Sequence, residues 1–263
     1  FCNCDNSEEY TLIVESAPAV YVPGNTVYRF YVKLLDSTDT FSAVFGNNND
    51  PLVINSPEGI LNSSFNTSWS ASGINPAFLS IFPDMADDSY ATVGLDGPAA
   101  ENEGNPSLVE DADLSTTISS YFINGGTQLN VNTLTGGSWY VLSTANNALP
   151  SDDLRVLIMQ ITTSGDLSGN INYQVFPLGA GNNQVQIGVN FDGIGTYGPL
   201  GTYNICGCMD LNAINYSAVS EYDDGSCIDP ILGCIDEAAC NFESEANTDD
   251  GSCIYDDECG VCG

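Results

Sequence analysis

The clearest pattern along the chain has a period of two. Over residues 184–191, Val185, Ile187, Val189 and Phe191 alternate with Gln184, Gln186, Gly188 and Asn190, which marks a strand with one buried and one wet face. Residues 27–34 alternate likewise, with Tyr28, Phe30, Val32 and Leu34 on one side and Arg29 and Lys33 on the other. Residues 153–162 are more uniformly apolar, as suits a central strand. The same pattern predicts strands over 10–15, 40–45, 60–65, 77–82, 128–133, 139–143 and 171–176. Gly, Pro, Asn and Asp fill the gaps, each favouring turns for its own backbone reason. Helical periodicity is nearly absent. The acidic stretch 84–113 reads as an extended surface excursion with at most a short strand near 91–95. Many short strands with turn signals predict a mostly β body over 19–205, an antiparallel β-sandwich of immunoglobulin-like or jelly-roll type.

After Tyr203 the texture changes. GCMDLNAINYSAVSEYDDGSC (207–227) is followed by GCIDEAACNFESEANTDDGSC (233–253), a tandem repeat of period 26 (234 − 208). Each copy is too small to bury a core, so covalent bridges must supply its stability. The chain divides accordingly: an N-terminal arm (1–18), the body (19–205), repeat 1 (206–229), repeat 2 (230–254) and the start of a further Cys-rich segment (255–263). The repeats are expected to stack as a stalk. The ten cysteines are Cys2, Cys4, Cys206, Cys208, Cys227, Cys234, Cys240, Cys253, Cys259 and Cys262, and none lies between 5 and 205. Pairing Cys208 with Cys227 and Cys234 with Cys253 would close equivalent loops, while the remaining cysteines leave several connectivities open. A disulfide framework requires an oxidising compartment. Zinc is the rival, since Cys259-Gly-Val-Cys262 has ribbon-like spacing, but no second pair matches it and the chain has no His.

Charge narrows the function further. The 263 residues carry 35 Asp and Glu against three bases, Arg29, Lys33 and Arg155, for a net charge of −32. Such a surface repels phosphate backbones and anionic membranes, which excludes nucleic acid as a partner. No apolar run is long enough to span a bilayer. A start at Phe1 without a leader fits a mature secreted product, and an end in mid-motif at Gly263 suggests that the polypeptide continues.

Catalytic chemistry finds little to stand on. Without His there is no Ser–His–Asp or Cys–His system, and no Gly-rich loop ends in Lys-Ser or Lys-Thr. Gly193-Ile-Gly195-Thr-Tyr-Gly198 formally matches GxGxxG, but Pro199 follows and no helix begins there, so it reads as a turn. Asp87–Asp88, Asp152–Asp153 and Asp223–Asp224 would serve a glycoside hydrolase in principle, yet such pairs arise by chance among 35 acids. The chain is expected not to be an enzyme. Calcium is the candidate cofactor: Asp210, Asp223 and Asp224 in repeat 1, and Asp236, Asp249 and Asp250 in repeat 2, would converge once the loops are closed. The alternative is that Asp-Asp-Gly-Ser is a turn whose acids face water. Sequons at Asn62, Asn66 and Asn215 are candidate sites for attached glycans.

These residues carry two resemblances. The copies ending in DDGSC resemble the cysteine-rich tandem repeats of large secreted proteins from aquatic microbes, although Ile214 stands where the second copy has Cys240, and Cys206 is extra. The segments FSAVFGNNNDPLVI (41–54), INPAFLSIFPDMADDSYATVGL (74–95) and DDLRVLIMQITTSGDLSGNINYQVFPLG (152–179) resemble the protomers of thin helical fibrils from fresh water. In that family an N-terminal strand of one subunit completes an immunoglobulin-like sandwich in another. The resemblance implies a homopolymeric extracellular fibril subunit whose donor strand is Tyr10, Thr11, Leu12, Ile13, Val14 and Glu15. Either Leu12 and Val14 or Thr11 and Ile13 would fill the pockets. It further implies that Cys2 and Cys4 bridge subunits, to Cys206 or Cys208. The alternative is a monomeric cell-surface adhesin or carbohydrate-binding module on a disulfide-rich stalk.

Overall fold

The computed structural model describes residues 9–199, 206–216, 222–223, 226–256 and 262. They fall into two compact units, a body within residues 8–202 and a C-terminal unit from residue 203 on.

The body is an antiparallel β-sandwich. Its strands are β1 (Thr11–Pro18), β2 (Thr26–Lys33), β3 (Thr40–Gly46), β4 (Leu52–Asn55), β5 (Tyr90–Ala91), β6 (Ser107–Glu110), β7 (Gln128–Val131), β8 (Gly137–Tyr140), β9 (Arg155–Thr163), β10 (Ser168–Phe176), β11 (Val185–Asp192) and β12 (Gly195–Tyr197). One sheet has the order β12-β1-β2-β9-β5. The other runs β6-β8-β3-β10-β4-β7, with β11 on the second edge of β10. Alternate residues of both sheets point into one core: Leu12, Val14, Phe30 and Val32 from the first meet Phe41, Val44, Tyr173, Val189 and Phe191 from the second. Phe30 and Phe191 cross between the layers edge to face at 5.2 Å. At the corner between β3 and β4 the chain passes so close to Leu52 that a Cβ on Gly46 would lie 2.6 Å from the leucine Cβ.

The strands read from strict alternation stand where expected, and β9 is buried along nearly its whole length. Two expected strands do not form. Residues 60–65 are an irregular loop, because Ser63 and Asn66 commit their polar groups to Asp88 instead of to a ladder. Residues 77–82 instead begin inside a 3-10 turn at Pro76–Phe78, where the Asn75 side chain accepts the Ala77 N–H at 3.0 Å. Phe82 there stacks on Phe65 at 3.7 Å. The acidic stretch is not simply a surface excursion. Met85, Asp87, Asp88, Ser89, Tyr90, Ala91, Thr92 and Val93 are buried against β9, and β6 lies farther along the same stretch. A short helix, α1 (Ile118–Ile123), also departs from the all-strand expectation. Thr117 caps it, and Ile118, Tyr121 and Phe122 form its buried i, i+3, i+4 face.

In the C-terminal unit, short parallel pairs join β13 (Cys206–Gly207) to β14 (Tyr222–Asp223) and β15 (Leu232–Gly233) to β16 (Thr248–Asp249). Disulfides Cys208–Cys227 and Cys234–Cys253 close the two repeats as expected, and a third joins Cys240 to Cys262. With Cys262 so engaged, the Cys259–Cys262 zinc pair does not exist. Among the described residues no helix is long and apolar enough to cross a membrane. The disulfide bonds fit a secreted or extracellular protein.

Candidate assembly site

The first strand is the residue set with the most specific expectation attached to it, and its surroundings are detailed. β1 is not an edge. It lies between β2 and β12, pairing antiparallel with each. Eight register pairs tie it to β2, from Thr11 opposite Lys33 to Pro18 opposite Thr26. Leu12, opposite Val32, is 0% exposed and Val14, opposite Phe30, is 3% exposed. Of the two alternative sets, Leu12 and Val14 face the core, while Thr11, Ile13 and Glu15 face outward. β12 covers β1 only from Leu12 to Val14, so one side of Glu15–Pro18 has no ladder partner among the described residues.

Both ends of the strand are fastened by polar groups. At the start, the Tyr10 hydroxyl donates to Asp39 at 3.1 Å, and its backbone carbonyl accepts from the Tyr173 hydroxyl at 2.8 Å. Burial, reinforced by the Asp39 carboxylate, pushes the Tyr10 phenol up to about 12. Asp39 is itself buried but saturated, accepting also from the backbone N–H groups of Leu35, Asp36 and Leu178. At the far end the β1–β2 loop turns over Asp87, whose oxygens accept from Val20 N at 3.2 Å, Tyr21 N at 2.5 Å and Val22 N at 3.1 Å. One buried carboxylate thus organises three successive loop amides.

Asp88 behaves differently from its neighbour. Fully buried, it accepts from Ser63 N, Ser89 N and Asn66 Nδ2 at 2.7–2.9 Å. Desolvation outweighs these bonds and raises its carboxyl to about 6. The pair therefore tethers loops to the sheet. No sequence signal separates Asp39, Asp87 and Asp88 from the other acids; what distinguishes them is burial, which is set by the tertiary fold. The other acidic pair of the body differs: Asp152 and Asp153 are exposed, and Asp153 is held below the usual carboxylate range by a hydrogen bond from Ser151 and by Arg155.

The sequons take structural positions. Asn66 is 3% exposed with its amide nitrogen on Asp88, so the folded chain offers it to no glycan. The Asn62 amide nitrogen donates to the Ile123 carbonyl. Asn215 spans a loop, donating to Ser226 O at 2.7 Å and accepting from Ile228 N at 2.8 Å. Its repeat-2 counterpart Asn241, which is in no sequon, makes the same two bonds to Ser252 and Ile254. Asn215 is thus a framework residue of the repeat.

The calcium candidates cap turns. Asp210 accepts from Asn212 N, Asp236 from Ala238 N and the Tyr255 hydroxyl, Asp249 from Gly251 N and Asp250 from Ser252 N. Gly251, at φ +76°, supplies the left-handed residue this turn needs. These bonds lower the Asp236 and Asp250 carboxyls. The Asp223 side chain and all of Asp224 lie outside the described residues. The single cluster of three potential metal ligands among the described residues is Cys240, Asp256 and Cys262, and its two sulfurs are joined to each other, which leaves no thiolate to coordinate. Cys208 is committed to Cys227 and is unavailable to Cys2 or Cys4. Cys2, Cys4 and Cys259 lie outside the described residues, and of Cys206 only the backbone is described.

The GxGxxG segment holds a turn at 193–194 and then β12, whose Gly195 pairs with Val14. The sequence predicts a turn alone, whereas the segment also supplies one wall of the β1 slot. No protein-family model matches the chain, and no curated protein or solved structure matches it.

Proposed function

We propose that the chain is a structural subunit of an extracellular helical fibril, polymerising by donation of β1 to the slot between β2 and β12 of another copy. One observation carries the reading: the first strand fills an internal position of its sheet. Withdrawing it would leave two unpaired edges and uncover Phe30 and Val32, a groove complementary to the same strand from a neighbour. Exchange conserves every contact, because the incoming strand is identical to the one that leaves. The seven residues 19–25 between β1 and β2 span up to about 23 Å when extended, enough to redirect the strand without disturbing β2. Head-to-tail exchange does not close on itself and so grows a filament. The N-terminal strand would then be at once the adhesive element and part of the core.

A monomeric surface adhesin or carbohydrate-binding module is the second reading. It is favoured by the pairing of β1 within its own chain.

The test is electron microscopy of the full chain carrying a cysteine pair at the register partners Ala17 and Val27. Oxidation locks β1 to its own β2. Filaments expected from the unmodified chain disappear on locking and return on selective opening of that bond. Filaments from the locked chain would retain the fibril and discard strand donation. Monomers throughout would favour the adhesin.

A further inference from the structure

Cross-strand partners point to the same side of a sheet. The register pairs Glu15 with Arg29, Ile13 with Tyr31, Thr11 with Lys33, Tyr31 with Leu157 and Lys33 with Arg155. All three bases of the chain therefore stand on one outer face of the β1-β2-β9 sheet, around the half-buried ring of Tyr31. The guanidinium carbons of Arg155 and Arg29 lie 4.7 and 5.7 Å from its centroid. Arg29 is paired with Asp96, and Arg155 with Glu15 at 2.7 Å and Asp153 at 2.5 Å. Lys33 is exposed and its ammonium has no ion pair among the described residues. Directly opposite it stands Arg155, a like charge that costs stability.

That arrangement is odd in a chain with 35 acids, any of which would serve as a counter-ion. Arg29 and Arg155 together hold Asp96, Glu15 and Asp153, so Lys33 is the one base without an ion pair among the described residues, in a chain whose net charge is −32. Everywhere else the chain has no basic side chain, so a contact between two copies there offers their carboxylates no side-chain cation. A Tyr flanked by two Arg is also the composition that concentrates binding energy in interfaces. We propose that this face, with Tyr31 at its centre and Lys33 as its uncommitted cation, docks the carboxylates of a second copy of the chain. It rests on the self-assembly reading and adds a side-to-side contact to the strand exchange. The complement is present on every neighbour, and the contact joins different patches, so it does not close.

Lys33 is the chain's sole lysine, which makes the test site-specific. Equal amounts of ¹⁵N-labelled and unlabelled full chain are assembled together, treated with a carbodiimide and digested for mass spectrometry. Mixed-isotope links from Lys33 to an Asp or Glu are expected, and Lys33→Glu should cut filament mass about tenfold, as a change near 1.4 kcal/mol per contact does. Filaments in which Lys33 is unlinked, or linked only within its own chain, would overturn this surface and leave strand donation standing. Mixed-isotope links at Lys33 in dimers that never elongate would support the surface and overturn the fibril reading. Absence of both filaments and mixed links would overturn both.

Discussion

The two units of this chain solve the same problem by opposite means. The body gathers one continuous core from both sheets, with Trp139, Tyr121, Tyr173, Phe30 and Phe41 among its fully buried side chains. Even its large polar aromatics are satisfied there: the Trp139 indole N–H reaches the carbonyls of Thr92 and Ile158, and the Tyr121 hydroxyl meets Ser56. In the C-terminal unit the buried hydrophobics among the described residues are Cys208, Ala213, Cys234 and Ala239, while Ile and Leu side chains at 211, 214, 228, 231 and 232 stay exposed. Area burial holds the first unit; covalent closure and side-chain clamps such as Asn215 and Asn241 hold the second. A single acidic chain thus contains one part held by buried area, its first strand included, and one held by covalent loops.

Reduction should separate the two most sharply. Each repeat loop closes over a sequence separation of 19, worth about 3 kcal/mol per bridge. Thiol reductant should therefore abolish amide protection across 206–256 in hydrogen exchange and leave the body's protection unchanged. Loss of protection in both units together would end the comparison. Leu12→Ala makes the reverse cut, with an expected loss of about 2–5 kcal/mol in the body's denaturant transition and no change in the C-terminal unit.

Asp88 predicts a pH dependence confined to the body. Its folded-state carboxyl, near 6, is raised above the unfolded value of 3.8, so the folded state holds the proton more tightly. Its contribution is greatest below pH 4 and is lost as pH rises toward and past 6, by up to about 3 kcal/mol. Urea midpoints of the body should fall over that window, and Asp88→Asn should flatten the fall. A variant whose curve runs parallel to the parent would remove Asp88 as the cause. The smallest effect concerns the C-terminal unit. Carboxylates whose oxygens are already committed to turn N–H groups predict no shift in its melting temperature on chelation. A fall would place a cation there and call for a site that includes the Asp223 and Asp224 side chains.

Legibility followed the range of the forces. Strands β2, β10 and β11 are visible because alternation records a buried face directly, β9 because a central strand is apolar on both faces, and the 26-residue period offers both repeat disulfides among several connectivities. The strand expected at 60–65 failed because apolar spacing there serves loop packing, with polar anchoring on Asp88, a residue more than twenty positions away. α1 was missed because six residues hold too few turns for a period to emerge, and β12 because three residues of Gly, Thr and Tyr show no alternation.

The sequence by itself determined the β class, the division at the start of the repeats and the net charge, and its repeat offered the pairing of Cys208 with Cys227 and of Cys234 with Cys253 among several connectivities. Those properties are local or additive: periodicity, cysteine spacing and a sum of charges. Only the tertiary structure decided that β1 would be an internal strand, that Asp39, Asp87 and Asp88 would be buried fasteners, that Asn66 would be sealed, and that the three bases would share one face. Each of those depends on which distant segments meet, and contact between distant segments arises only once the chain has folded.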